Sequence, residues 1–313
     1  MKILATALLC LALGALAHSP AAGDSLPPVF LMSWGTLGAG PGQLDFPFGV
    51  AVDAGGNVYV GDQHNHRVHK FNSDGSYAAD WTTGPESYPA GITVGPNGNV
   101  YVVLNHTHCV KIYSAAGTPL GTIGSPGHLP GQLFYPVAVA TDAAGNVYVA
   151  NSGDNKVDKF TAGGAYVMSW HAPGVPYGVF VDNADCVYVT GNLGNKVMKF
   201  TSTGTYLGEW GSPGNGPGQF SFPEGMEQDA AGNIYVCDTG NDRVQKFTPS
   251  GIYLTQWGGR GTGDGLFHSP SDVAVDGLGT IYVADYNNAR IELFGEPVPA
   301  LPTTWGRIKA MHR

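Results

Sequence analysis

The chain has 313 residues, of which 47 are glycine, about twice the usual share, and only 12% are charged, about half the usual share. This composition suits many short strands joined by tight turns, and it excludes a helical bundle, which needs Ala, Glu, Lys and Leu in quantity. A formal net charge of −9 lacks the basic footprint of a nucleic-acid binder, and 43% hydrophobic residues argue against disorder.

Met1 and Lys2 precede an apolar run over residues 3–17 that ends Ala15-Leu16-Ala17. A short basic start, an apolar stretch and an A-x-A end predict a secretory signal peptide cleaved after Ala17. The run is too short to span a bilayer, and Leu9 before Cys10 is too bulky for a lipoprotein signal. The expected product is secreted, periplasmic or held at the cell surface, without a transmembrane segment. It keeps Cys109, Cys186 and Cys237, an odd and widely spaced set that does not read as a disulfide framework.

After an expected linker at 18–28, the chain repeats itself. Six segments open on Pro47, Pro89, Pro136, Pro176, Pro223 and Pro270, spaced 42, 47, 40, 47 and 47 residues apart. Each runs through a short alternating strand, a turn that usually holds Gly-Asn, and a second strand with Tyr-Val. A third strand ends in an aromatic, and most copies add a fourth such as TYLGEW or IYLTQW. Four short strands every 40–47 residues form one propeller blade, because a lone four-stranded sheet cannot bury both faces and a ring of them can. The sixth copy lacks its fourth strand, while Val29-Phe30-Leu31-Met32-Ser33-Trp34 before the first copy matches it. The expected fold is therefore all-β: a six-bladed propeller over 29–295, its N-terminal strand completing the last blade. A Pro-rich linker and short basic tail follow over 296–313.

The segments FPFGVAVDAGGNVYVGDQHNHRVHKF and FPEGMEQDAAGNIYVCDTGNDRVQKF resemble the NHL repeat family of six-bladed propellers, as do the lead-ins GAGPGQLDFP and GSPGNGPGQFSFP. The resemblance covers nearly the whole mature chain. It implies the fold but no single function, since such propellers serve as RNA binders, docking platforms, sensors and lyases.

Comparison among the repeats adds detail. Asp62, Asp238 and Asp285 end the second strand in blades 1, 5 and 6, and Arg67, Arg243 and Arg290 open the third strand five residues later. Where the Asp is missing the Arg is missing too, which predicts structural ion pairs. The strand order places the fourth-to-first and second-to-third loops on one face, called the top, and the near-identical Gly-Asn turns on the other. The variable top loops are the expected binding surface. At the channel mouth, Phe48, Tyr177, Glu224 and Asp272 are the candidate ligand-binding residues. Trp34, Trp81, Trp170, Trp210 and Trp257 end fourth strands regularly enough to read as blade packing.

His64, His66, His106 and His108 sit in two neighbouring top loops, with His69 close by in sequence. Imidazoles bind zinc, but matching positions in adjacent blades lie too far apart for bonds of about 2.0–2.1 Å to one ion, so the plainer reading is structural. Peptide-amidating lyases of this fold place metal-binding His just after the blade prolines, and none stands there here. Related lactonases hold a divalent cation with converging acidic and amide ligands, and Glu224 and Asp272 are few for that. No catalytic motif or cofactor signature is present. The expectation is a monomeric, cofactor-free recognition scaffold that binds a protein, peptide or glycan on its top face and no nucleic acid. A metal-dependent secreted lyase or lactonase is the first alternative and a nucleic-acid-binding propeller the second.

Overall fold

The computed structural model describes residues 26–297. The expected signal peptide, most of the 18–28 linker and the basic tail beyond 297 lie outside these residues. Within them, 24 strands form six four-stranded antiparallel sheets. Blade 1 is β2 (Pro47–Val52), β3 (Val58–Asp62), β4 (Arg67–Phe71) and β5 (Tyr77–Thr82). Blade 2 is β6 (Pro89–Val94), β7 (Val100–Leu104), β8 (Cys109–Tyr113) and β9 (Pro119–Ile123). Blade 3 is β10 (Pro136–Thr141), β11 (Val147–Asn151), β12 (Lys156–Phe160) and β13 (Tyr166–His171). Blade 4 is β14 (Pro176–Val181), β15 (Cys186–Gly191), β16 (Lys196–Thr201) and β17 (Tyr206–Trp210). Blade 5 is β18 (Pro223–Gln228), β19 (Ile234–Asp238), β20 (Arg243–Phe247) and β21 (Tyr253–Gly258). Blade 6 joins β22 (Pro270–Val275), β23 (Ile281–Asp285) and β24 (Arg290–Gly295) to β1 (Val29–Trp34), which pairs antiparallel with β24. The inner strands β2, β6, β10, β14, β18 and β22 contact one another in that order and back to β2, so the ring is closed.

The repeated residues form the frame. On the bottom face Asp53 Oδ1 accepts from the Gly55 and Asn57 amides, both at 2.9 Å, and its Oδ2 from Asn57 Nδ2 at 2.8 Å and Tyr59 OH at 3.0 Å. Asp142 and Asp229 repeat this set with Tyr148 and Tyr235. The tyrosine hydroxyl is the reason Tyr, and not Phe, recurs in the second strand: its ring fills the core and its O–H closes the turn. The six tyrosines of these strands are fully buried.

Between blades the tryptophans are the filler. Trp34 packs on Tyr282 of its own blade at 6.2 Å between ring centroids and on Phe71 of the next blade at 5.8 Å. It also covers Gly75, which has φ 78° and no room for a side chain under the indole. Trp81, Trp170, Trp210 and Trp257 make the same pair of contacts at the later seams. Cys109 and Cys237 are buried free thiols. No helix among the described residues is long and apolar enough to cross a membrane.

Deleting residues 29–35 should bare the edge of β24, remove the Trp34 contacts with Phe71 and Tyr282 and promote edge-to-edge association. A lower melting temperature with loss of the monomer peak in sizing is expected. An unchanged melting curve for the monomer would refute the clasp's contribution.

Candidate functional site

Register fixes the faces. Pro47 pairs with Asp62, and Asp62 with Arg67, so the start of the inner strand, the end of the second and the start of the third share one level, at the top. Four of the six chain segments entering an inner strand from above are long glycine-rich lead-ins, each closed by a parallel bridge: Leu37 to Leu44, Pro126 to Leu133, Pro213 to Phe220 and Arg260 to Phe267.

The Asp and Arg pairs hold these lead-ins in place. Arg243 Nε lies 2.7 Å from Asp238 Oδ2, and its remaining donors reach the lead-in carbonyls of Asn215, Gly216 and Gln219 at 2.8–3.0 Å. Asp238 Oδ1 accepts from the Ser221 amide at 2.7 Å. Asp62 with Arg67 at 3.1 Å and Asp285 with Arg290 at 2.8 Å repeat the arrangement. The absence of both residues from blades 2 and 4 now has a cause. Those are the blades reached by the short 42- and 40-residue repeats, so the carbonyls that Arg would bind are missing. Blade 3 keeps its lead-in and substitutes Asn151, whose Oδ1 accepts from the Phe134 amide at 2.8 Å and whose Nδ2 donates to Asp158 at 2.8 Å. The spacing pattern carried this distinction.

Asp238 is fully buried and Arg243 nearly so, so each single truncation leaves a buried charge or unpaired carbonyls behind. Asp238→Ala and Arg243→Ala should each lower stability, and the double variant should cost less than their sum. The coupling expected in a denaturant cycle is ~0.5–3 kcal/mol. Strict additivity would show that the two side chains do not act together.

The residue before each blade proline is left-handed in all six blades: Phe46, Tyr88, Tyr135, Val175, Phe222 and Ser269, with φ between 47° and 60°. Large side chains rarely adopt this conformation, and each costs roughly 1–2 kcal/mol. At four seams it is held by a hydrogen bond from the preceding blade. The amides of Tyr135, Val175, Phe222 and Ser269 donate to His108 Nδ1, Asn155 Oδ1, Asn195 Oδ1 and Asp242 Oδ1 at 2.7–3.0 Å. His108 is thus a latch between blades 2 and 3.

The left-handed residues Phe46, Tyr88 and Tyr135 display their rings on the top face. Tyr286 meets Phe46 at 4.8 Å between centroids, Phe46 meets His64 at 4.4 Å, His64 meets Tyr88 at 5.9 Å and Tyr88 meets His106 at 4.1 Å. Past that loop, His108 meets Tyr135 at 4.6 Å, Tyr135 meets Phe134 at 4.7 Å and Phe134 meets His128 at 4.5 Å. The rings form an arc from blade 6 through blades 1 and 2 to blade 3. The loop histidines are members of this arc, with Tyr88 between His64 and His106. His69 stands apart: it is buried on β4, with Nε2 3.0 Å from Asp62. Among the described residues no three His, Cys, Asp or Glu side chains are grouped to hold a metal ion. Phe46, Tyr88, Tyr135 and Tyr286 escape a search limited to positions after the prolines. The signal for three of them is an aromatic directly before the proline, which recurs in four of the six copies.

The mouth candidates Phe48, Tyr177, Glu224 and Asp272 are brought together. Phe48 in blade 1 and Tyr177 in blade 4 belong to opposite sides of the ring, and their centroids are 6.1 Å apart, so they meet across the axis and cover the channel. Beneath them lies a cavity of about 210 Å³ lined by the inner strands, including Asp272 and Glu227. Asp272 Oδ2 accepts from the Val50 amide across the blade 6 to blade 1 seam at 3.0 Å, and its Oδ1 from the Val273 amide at 3.0 Å. Burial raises its carboxyl to about 8. Burial, with Asp272 nearby, raises Glu224 to about 8. Burial raises Glu227 to about 7, against one amide hydrogen bond from Gln228 at 2.9 Å. Glu227 joins the site here for the first time; the available signal was its place four residues after Pro223, where the other inner strands carry Ala51, Thr93, Ala140, Phe180 and Ala274.

Comparison with known proteins agrees with this architecture. The NHL repeat model matches residues 44–71, 87–113, 220–247 and 267–294. The chain is thus a six-bladed β-propeller in which four blades, 1, 2, 5 and 6, match the NHL repeat. It is 31% identical over 149 residues to human NHL repeat-containing protein 3, a match covering 45% of this chain and 43% of that one, so the shared segment is less than half of either. Among solved structures, a catalytically inactive virginiamycin B lyase from Staphylococcus aureus with quinupristin superposes with a TM-score of 0.61 at 16% identity, covering 86% of this chain and 98% of that one. A gluconolactonase from Xanthomonas campestris gives 0.65 at 14%, covering 82% and 87%. At such identities the likeness is one of fold.

Burial and neighbouring His106 hold the His108 imidazole below its ordinary value, as an acceptor ring should be. Unfolded histidine titrates near 6.5. The folded state therefore binds fewer protons below that pH, and stability should fall as pH drops through 6.5 toward the lowered value. His108→Asn supplies the acceptor that Asn195 supplies two blades on, so it should fold normally and lose this part of the acid dependence in melts between pH 7.5 and 5. An unaltered pH profile would remove the latch assignment.

Proposed function

We propose that this propeller is an exported, monomeric recognition scaffold that binds a protein, peptide or glycan on its top face. The observation that carries the reading is the arc of aromatic and imidazole rings across blades 6, 1, 2 and 3, several of them presented by backbone held left-handed. Tyr135 is 46% exposed and Phe222 on the same rim is 49% exposed. A scaffold selected for stability alone gains nothing from strain that turns large rings toward solvent, whereas rigid aromatics are favoured anchors of interfaces. The bottom turns are near copies of one another and spend their polar groups internally. Export is expected from the N-terminal segment.

Catalysis in the channel is the second reading, and the specific observation in its favour is the set of carboxyls raised to about 7–8, which stay protonated near neutrality and could act as general acids. The metal-dependent form of that reading lacks a grouped ligand set among the described residues.

The test needs a partner, found by pull-down from the native secretome or on a glycan array. Tyr88→Ala and Tyr135→Ala should each weaken binding, by ~2 kcal/mol where the ring is an anchor. Asn146→Ser on the bottom should leave affinity unchanged, although it removes the Asn146 bond to Asp142 and so lowers stability slightly. Normal binding by both tyrosine variants, with loss in the bottom variant, would place the ligand on the other face.

A further inference from the structure

The channel holds an arrangement that the rim does not need. Three carboxyls, Glu224, Glu227 and Asp272, belong to adjoining inner strands β18 and β22; Glu227 and Asp272 line the cavity beneath the Phe48 and Tyr177 rings, and Glu224 stands beside Asp272. No Lys, Arg or His among the described residues pairs with any of them; the ion pairs of the described residues all lie elsewhere. Asp272 is served by two amides and Glu227 by one. Glu224 is half-buried beside Asp272 and near Tyr177 and Tyr286, and its carboxyl makes no hydrogen bond to another described residue. It occupies the position after the blade proline, the one from which Phe48 and Tyr177 reach across the axis.

We propose that this channel is a binding site for an alkylammonium group, held by Glu227 and Asp272 beneath the rings of Phe48 and Tyr177, with Glu224 beside Asp272 adding to the negative charge. The carboxyls supply the negative charge, and the ring faces attract a cation at the mouth. A cavity of about 210 Å³ with Val50, Val139 and Met226 in its wall suits a short aliphatic chain behind the charge. The ammonium of a free amine and that of a lysine side chain present the same chemistry, and the experiment separates them.

Binding must displace protons. At neutral pH burial keeps much of Glu224 and Asp272 neutral, and Glu227 partly so. A cation in their midst favours the charged forms, so its arrival releases protons while it remains charged itself. The other titratable groups facing the cluster do not change over this range. Tyr177 is pushed far up by burial and by Glu224, Tyr286 lies at about 12, and the Cys237 thiol behind the inner strand is raised well above its usual value.

Isothermal titration of the full chain with n-butylammonium, and with a Gly-Lys-Gly peptide, tests this. At pH 8.5 saturable binding of at least one is expected, weaker by about tenfold or more at pH 6.0. The heat should vary with buffer ionisation enthalpy as proton release requires. The amine alone points to a small-molecule ligand, and the peptide but not its acetyl-lysine form points to a protein lysine. Glu224→Gln and Glu227→Gln should each weaken binding about tenfold or more while the melting temperature is kept or raised, since neither removes an ion pair. Gly225→Ala, whose new methyl would fall on the Asp272 carboxyl, should weaken it as well. No saturation with either probe at pH 8.5, equal affinity at both pH values, equal binding of n-butanol, or unaltered affinity in both Glu→Gln variants would overturn the proposal. The rim variant Tyr88→Ala should bind the amine normally, so failure here leaves the rim reading intact and failure there leaves this one intact.

Discussion

Everything in this molecule depends on how closely the six inner strands approach one another around the axis. A Cβ at Gly49 would stand 2.5 Å from the Ala90 carbonyl, one at Gly91 2.7 Å from the Ala138 Cα, and one at Gly178 2.4 Å from the Glu224 carbonyl. The second residue after each blade proline must therefore be small, and it is Gly or Ala in five blades. That contact sets the channel width, which in turn lets Phe48 and Tyr177 meet from opposite blades. The sixth position is Asp272, and it stands at the seam where the chain's two ends must be joined. There its carboxyl takes the Val50 amide across the gap. The clasp by β1 closes the outside of the same seam, so ring closure is made once by backbone pairing and once by a side chain.

The second layer follows from the first. With the strands fixed, the chain must climb from the outer strand of one blade to the inner strand of the next across the top. Where it does so by a long glycine lead-in, an Asp and Arg pair or Asn151 fastens the loop. Where it does so briefly, in blades 2 and 4, nothing need be fastened. The last residue of the climb is left-handed in all blades, and at four seams a His, Asn or Asp side chain from the blade before holds its amide. Variation in that small set, at constant geometry, is how a rigid frame carries a changing surface.

The frame was legible because each of its contacts is repeated. Tyr59 and its five counterparts, the Asp53-type turns, the tryptophans and the missing fourth strand of blade 6 are periodic, and periodicity survives without coordinates. The ion pairs were legible through joint loss, though their purpose was not: the carbonyls that Arg243 binds belong to a loop 24–28 residues earlier, and backbone acceptors leave no trace in side-chain comparison. The site was only half legible. Phe48, Tyr177, Glu224 and Asp272 could be placed at the mouth by strand order, but not that Phe48 and Tyr177 touch, since that depends on channel width. Phe46, Tyr88 and Tyr135 were missed because the residue before a proline is ordinarily extended, and nothing in a sequence announces a left-handed exception that its neighbours enforce.

The distribution of cost separates the two regions. On the rim, strain of roughly 1–2 kcal/mol per left-handed residue is spread around the ring and offset by latches that also join the blades. In the channel the cost is unshared. Three carboxyls are raised to about 7–8 with no cation beside them, whereas blade 3 carries Val137, Ala138 and Ala140 at the matching positions. Replacing a buried acid by such a residue commonly leaves stability equal or higher. Among the channel acids Asp272 joins two blades through the Val50 amide, whereas Glu224 and Glu227 join none, and their presence is accounted for by what they would bind.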